Sequence, residues 1–525
     1  MAKQFDFNDD GVVVVIGSGA GGATLANELA QKGVDKIVIL EAGKHFTQDD
    51  FENDEWAMFK KISWLDKRIS AGSWHHTKTY PNLPAWIVKA VGGSTIHWSG
   101  VALRFQEHDF RIRTEYGQVA DANALDWPIT LAELAPYYDR AEKKMGVAGS
   151  AASGLPPMPE SNQYKVVAAG ARKIGYKKII RPVASNTVAS DGRPACQQIG
   201  FCMQGCKIGA KWSALYTEIP KALASQRVEL RPQSMVLRIE HDKSGKVSGV
   251  LYADKTGRHV LQKARLVCVA GNSIESPRML LNSASAMFPQ GLANSSGQVG
   301  RNYMNHATGA AVAIHKKPVY MNRGFDIGAV VADEVAPDTR RGFNGGYHIE
   351  GLALGLPYTA AFMQPGGWGR DMTSALDMYD HMTAVWICGE DMPREQNSIT
   401  LHASEKDQYG LPIPIVTKSY HANDDAIVAH GLKQFRKLSE AVGATRVIDM
   451  PAYPASHNLG TNRMSAKARD GVVNQWGQAH DVKNLFISDG SQFTSSSAAN
   501  PTLTIVALAI RQAEYIAREM QAQRI

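Results

Sequence analysis

Two stretches of this sequence gather residue types that can do chemistry. In the first, the apolar run Val12-Val-Val-Val-Ile16 leads directly into Gly17-Ser-Gly19-Ala-Gly-Gly22, and an acidic residue, Glu41, follows about twenty positions later. Gly17 permits a tight turn, Gly19 lets backbone approach a pyrophosphate, and Gly22 lets a helix pack closely on a strand. The unpaired N–H groups of a helix N-terminus would face the phosphates, and Glu41 could accept hydrogen bonds from a ribose diol. The pattern specifies a dinucleotide and leaves open whether it is FAD or NAD. In the second stretch, Cys196, Cys202 and Cys206 share one short loop with several glycines. Glycines allow sharp turns and close approach of N–H to sulfur, so such a loop can wrap three thiolates around one inorganic centre. Zinc would want a fourth protein ligand, and no nearby histidine is in register. A disulfide between two of the three would leave an odd thiol.

The elements that must position these residues can be read around them. Val12 to Ile16 has the pattern of a buried strand, Leu25, Ala26 and Leu29 fall at helical spacing, and Lys32-Gly33 ends that helix. Lys36-Ile-Val-Ile-Leu40 is a second strand, and it delivers Glu41. Three further segments, Arg227 to Glu240, Lys246 to Tyr252 and Val260 to Ala270, are joined by Asp-Lys-Ser-Gly and Asp-Lys-Thr-Gly turns and predict a meander. Ile427, Phe435, Leu438 and Val442 predict one face of a helix from about Asp424 to Val442, stopped by Gly443. Such a face belongs to a core.

The bulk numbers set outer bounds. A chain of 525 residues exceeds one ordinary core and predicts two domains. With 44% hydrophobic and 20% charged residues and no biased tract, it has the profile of an α/β globule and excludes a fibrous or disordered chain. The net charge of +7 is spread out, and no run of five or six basic residues marks a nucleic-acid stripe. No apolar run approaches the roughly 20 residues that span a bilayer, and the acidic start Met1 to Asp10 does not read as a signal peptide. Five cysteines are too few for a disulfide scaffold at this length.

Four further segments carry a family resemblance. Lys89-Ala-Val-Gly92-Gly93-Ser94-Thr95-Ile-His97-Trp98 resembles the first signature of the glucose-methanol-choline (GMC) oxidoreductase family, where a Gly-Gly pair passes against a flavin. Gly271-Asn-Ser-Ile-Glu-Ser276-Pro277-Arg-Met-Leu-Leu281 resembles the second, beside the adenine half. Val299-Gly-Arg-Asn-Tyr-Met-Asn-His306 resembles the linker into the substrate domain. Asn484-Leu-Phe-Ile-Ser-Asp489-Gly490 with Asn500-Pro501-Thr502 resembles the C-terminal flavin segment. The matches follow the family's order over the whole chain. Glu275, Asn462 and Ser283-Ala284-Ser285 depart from its commonest pattern, and point toward the bacterial branch containing gluconate, fructose and glucose dehydrogenases.

The resemblance implies an α/β fold with a Rossmann-like FAD-binding domain, discontinuous in sequence, and a substrate domain made of an antiparallel sheet flanked by helices. The expected FAD-binding pieces are 1–105, 205–310 and 455–525; 106–204 and 311–454 are the expected substrate domain, with the cysteine-rich loop at 191–210. FAD is the implied cofactor, held by Gly17, Gly19, Gly22, Glu41, Gly92, Gly93, Ser94, His97, Asp489, Gly490, Pro501 and Thr502. Oxidising a carbinol requires a base that removes the hydroxyl proton as hydride leaves for flavin N5, and a histidine fits that demand. His457, in Ser456-His457-Asn458-Leu-Gly460, matches the family's catalytic histidine; Asn500 matches its partner, and could also cap the helix beginning near Pro501. His97 matches a histidine that carries the flavin covalently in some members, or else packs against the ring. Asp191-Gly-Arg-Pro194 ahead of Cys196 resembles members that hold a three-iron, four-sulfide cluster on three cysteines.

The expected activity is oxidation of a hydroxyl of a sugar, sugar acid, glycoside or polyol, with electrons leaving one at a time through the cluster to a cytochrome. The same resemblance implies a small Tat-signal-bearing subunit, a cytochrome c subunit and a periplasmic location, with a cytoplasmic location as the alternative. The rival readings are an oxidase that reduces dioxygen and a dehydrogenase of a non-sugar alcohol. Residues 311–449 follow no motif that would name the substrate.

Overall fold

A computed structural model describes residues 4–62, 70–71, 86–363, 368–450 and 456–525. Val13–Ile16 is buried along its whole length, as an unbroken run of β-branched side chains requires. It is the middle strand of a five-stranded parallel sheet in which Leu485–Ile487, Leu266–Val269, Val13–Ile16, Ile37–Leu40 and Val228–Arg231 lie side by side. Helix Ala20–Gln31 covers one face, against the C-terminal helix Thr502–Gln521, and Val13, Leu25, Leu29, Ile39, Cys268 and Ile516 share its core.

The expected meander is split by the structure. Met235–His241, Val247–Ala253 and His259–Lys263 do form an antiparallel three-stranded sheet. Its outer segments, however, each give their distal part to the parallel sheet, as Val228–Arg231 and Leu266–Val269. The first break falls at Pro232 and Gln233, where proline has no N–H to donate and Gln233 takes φ +52.

The second large sheet has six antiparallel strands, in the order Ala444–Met450, Ala307–His315, Met382–Gly389, Tyr347–Leu352, Ile327–Val331 and Ile179–Ile180. Helix Ala422–Ala441 packs on it through Ile427, Phe435 and Leu438. His421 and Asp424 cap its start reciprocally, and Gly443 follows its end at φ +82. The architecture is the expected one, a parallel nucleotide-type sheet joined to an antiparallel sheet flanked by helices.

Candidate active site

One large cavity, with about 2120 Å³ of empty space including its mouth, lies where the carboxyl ends of the parallel strands meet the antiparallel sheet. Gly17, Glu41 and Gly271, each just past a parallel strand, line one part of it. Ala310, Ile327, Leu352 and Trp386, from four antiparallel strands, line another.

The glycine turn is built as its spacing implies. Gly17 sits at φ +99, and a Cβ there would meet the Ala270 carbonyl oxygen at 2.3 Å. A Cβ on Gly22 would lie 2.2 Å from the Gly17 oxygen, and one on Gly21 only 1.6 Å from the Ser488 oxygen. Gly19, at the start of the helix, is different: its nearest contact would be Gly93 Cα at 3.8 Å, and it borders the cavity. The position that must admit a ligand is therefore the open one. Gly92 and Gly93 take φ +94 and +54, and the Gly92 N–H donates to Ser18 Oγ at 3.1 Å, closing the two glycine turns on each other.

Glu41 lines the cavity while accepting from Ser18 N, Ser18 Oγ and Gly43 N at 3.1, 2.7 and 2.8 Å. Burial raises its pKa, opposed by these hydrogen bonds. Asp489 also borders the cavity, but its carboxylate is engaged by the protein: Asn272 N and Ser491 N donate at 2.9 and 2.8 Å, and the Ser276 and Ser491 hydroxyls donate as well. It ties the 271–276 turn to the C-terminal segment. Gly490, Pro501, Thr502 and Ser94 line the same cavity. Glu275, a departure from the family pattern, pairs with Lys89 at 3.2 Å and Arg278 at 3.0 Å and links the two signatures.

His97, Asn500 and His457 all face this space. His97 is buried, stacks on Trp86 at 5.8 Å, and its Nε2 has no hydrogen-bond partner. Burial, with the nearby Lys211 charge, lowers its pKa to about 3, so the ring is neutral. Asn500 is buried with Oδ1 unpartnered, and helix Thr502–Gln521, with Pro501 at its N-cap, has no side-chain cap. The capping role open to Asn500 is not used. Beside it lies the buried Glu350 carboxyl, which burial pushes up to about 8.

His457 is held by a residue the sequence reading quoted without assigning it a role. His306 Nδ1 and His457 Nδ1 are 2.8 Å apart, and His306 Nε2 is 3.2 Å from the Ser496 carbonyl oxygen. A carbonyl only accepts, so His306 carries its proton on Nε2 and its Nδ1 is an acceptor. His457 must then donate from Nδ1, which leaves its Nε2 lone pair free. Burial, followed by repulsion from His306, holds the His457 pKa well below the ordinary value. Cys388 Sγ completes a trio within 4.8 Å of one another. Tetrahedral zinc ligands stand about 3.3 Å apart, so the 2.8 Å contact between the two rings is a hydrogen bond. The signal in sequence was only a histidine ending the 299–306 linker.

Cys196, Cys202 and Cys206 line one small pocket on a loop whose backbone turns at Gln198, Gly200, Phe201, Gly205 and Gly209, all with positive φ. No disulfide joins them. Backbone N–H groups of Gln198 and Lys211 approach Cys196 and Cys206 sulfur at 3.4 Å. The buried Lys211 ammonium donates to the carbonyls of Cys202, Ile96 and Trp98, fastening this loop to the segment that carries His97. Met203, next to Cys202, already lines the large cavity.

Residues 13–308 and 393–509 match the N- and C-terminal family models described as GMC oxidoreductase. The chain belongs to the GMC oxidoreductase family, FAD enzymes that act on CH–OH donors. It is 33% identical to a 2-methyl-1,2-propanediol dehydrogenase of Mycolicibacterium austroafricanum, covering 96% of this chain and 95% of that one. It is 26% identical to a fructose dehydrogenase large subunit of Gluconobacter japonicus, over 97% and 98%, and 26% identical to a gluconate 2-dehydrogenase flavoprotein of Pantoea cypripedii, over 96% and 93%. A pyridoxine 4-oxidase structure from Mesorbium loti shares the fold, with a TM-score of 0.66 at 16% identity over 97% and 99% of the chains. The open phosphate-side Gly19 and the orphaned His97 Nε2 fit the FAD this family uses.

Proposed function

We propose that this protein is an FAD-dependent alcohol dehydrogenase in which His457 is the base, Asn500 holds the substrate oxygen, and electrons leave through a cluster on Cys196, Cys202 and Cys206. The observation that carries the chemistry is the free Nε2 of His457, kept unprotonated by the His306 contact on the other side of the ring. FAD, when bound, supplies the hydride acceptor. The substrate hydroxyl gives its proton to His457 Nε2, the Asn500 amide donates to the substrate oxygen, and the charge gained by His457 is shared with His306 Nδ1. Ser18, Glu41, Gly19 and the Gly92-Gly93 turn hold the nucleotide and fix its orientation.

His97 Nε2 is the attachment point for a covalent flavin, a reading supported by its having no protein partner. Acid-precipitated protein should keep its yellow colour in the pellet; colour released to the supernatant overturns the attachment.

Three unpaired thiols around one pocket, with Lys211 to offset negative charge, fit an iron-sulfur cluster, which would pass electrons singly. Burial raises the Cys196 and Cys202 thiols above their usual pKa, so as free thiols they would be inert, and a metal would be needed to ionise them. The acceptor is then a haem protein, reached in the periplasm with a small signal-bearing partner. The fructose relative is by its name a large subunit, in keeping with that arrangement. No helix among the described residues is long and apolar enough to cross a membrane. The purified protein should contain about three irons and reduce cytochrome c faster than it makes peroxide. Cys202→Ser should lose the iron and the cytochrome activity while alcohol still bleaches its flavin at the normal rate. Normal cytochrome reduction by the iron-free variant would sink the relay, and peroxide as the main product would favour an oxidase.

A further inference from the structure

The described side chains that the antiparallel sheet and its margins send into the cavity are apolar but for one indole N–H: Ala310, Ile327, Leu352, Leu354, Met450 and Trp386, whose Nε1 has no partner. They come from five different strands and the segment just after one of them, so the character is not that of a single patch. Trp86 and Met203 extend the apolar wall. The cavity's charged groups, Glu41, Lys89, Glu275, Arg278 and Asp489, lie elsewhere, on the parallel-strand ends and the two signature segments, and are engaged with one another or with backbone.

Few hydrogen-bonding groups of the described residues remain beside His457 and Asn500. His457 and Asn500 serve the hydroxyl being oxidised. Asn458 is spent, accepting from the Tyr303 hydroxyl and donating to the Trp86 carbonyl at 3.4 Å. Among the described residues of that wall and of the 456–458 segment this leaves Ser456 and the Trp386 Nε1–H, which has no partner, enough for one additional hydroxyl. A hexose brings at least three more. Each hydroxyl stripped of water without a partner costs about tenfold in binding, so a sugar would be disfavoured by about a thousandfold. An alkyl or ring carbon in the same place gains about fourfold for each methylene buried.

From this wall we infer that the substrate is an alcohol with an apolar body, branched, alicyclic or aromatic, carrying at most two hydroxyls, and that it is not a sugar or sugar acid. The inference rests on the proposed alcohol dehydrogenase reading and narrows it. It reverses the sugar substrate expected from the bacterial resemblance.

The test uses the FAD-loaded protein without oxygen, with cyclohexylmethanol, benzyl alcohol and 2-methyl-1-propanol set against glucose, fructose, gluconate and sorbitol. The apolar alcohols should bleach the flavin with kcat/KM at least a hundredfold above any sugar. A sugar or sugar acid that bleaches it faster overturns the inference and leaves the dehydrogenase reading standing. Bleaching by neither set rejects the dehydrogenase reading itself. A binding readout separates recognition from turnover. The tertiary alcohol 2-methyl-2-butanol has no carbinol hydrogen, yet should perturb the flavin spectrum and raise the melting temperature at concentrations where sorbitol does neither; the opposite order also overturns the inference. Leu354→Asn, in a variant that retains its flavin, should raise KM for cyclohexylmethanol about tenfold with kcat little changed, and an unchanged KM counts against the apolar wall as the recognition surface.

Discussion

Replacing His457 by alanine should slow substrate reduction of the flavin about 10² to 10⁴-fold, a rise of roughly 3 to 5 kcal/mol in the barrier. The size follows from removing the proposed base while leaving the cavity and its nucleotide end in place. Anaerobic stopped-flow with a saturating alcohol measures it, and a variant reduced at the wild-type rate would reject the assignment. The pH profile carries the same argument. Burial and His306 hold the His457 pKa well below the ordinary histidine value, so the neutral, proton-accepting form prevails through neutral pH. Activity should fall only as pH drops beneath the usual histidine range, and kcat/KM should be level at pH 7. An acid limb centred at or above the unperturbed value of about 6.5 would contradict the buried pair.

Gly21→Ala should give a protein that neither holds flavin nor folds to a stable state. The added methyl would lie 1.6 Å from the Ser488 carbonyl oxygen. Neither partner can yield. Ser488 N donates to Val269 in the parallel sheet at 2.8 Å, and its hydroxyl donates to Gln512 in the C-terminal helix. The penalty belongs in the exceptional class of about 4 to 5 kcal/mol or more. Gly19→Ala is the matched control, since its methyl would find only Gly93 Cα at 3.8 Å. That variant should fold and melt like wild-type apoprotein yet retain less flavin, because the space it fills is the approach to the phosphates. Flavin absorbance per protein together with the melting temperature distinguishes the two, and a yellow, stable Gly21→Ala would show that the helix does not sit where it is placed here.

Much of the site was legible because its signals are local. Gly17, Gly19 and Gly22 answer to one turn and one helix, Glu41 to the end of one strand, and the cysteines to one loop, so spacing along the chain reports spacing in the molecule. The family resemblance supplied His457 and Asn500, which spacing could not. The His306 contact was hidden because the two rings are 151 residues apart and meet only through the fold. The meander was misread for a related reason: Arg227 to Glu240 looks continuous in polarity, while Pro232 and the positive φ of Gln233 send its two halves into different sheets. The substrate wall was illegible for the strongest reason of all. Ala310, Ile327, Leu352, Trp386 and Met450 each look like ordinary strand residues, and only side-by-side pairing of their strands makes them one surface.

The order of strands in the parallel sheet has a consequence for how the molecule is made. Val13–Ile16 pairs with Leu266–Val269, which in turn pairs with Leu485–Ile487, so neighbouring strands come from widely separated parts of the chain. Pairings of such long sequence separation are costly to close and slow to form. The nucleotide turn cannot be braced by Ser488 until the chain through that residue has left the ribosome. Nascent chains shortened before residue 485 should therefore be unable to capture FAD, so that cofactor uptake waits for that strand and the half-built sheet stays aggregation-prone until then.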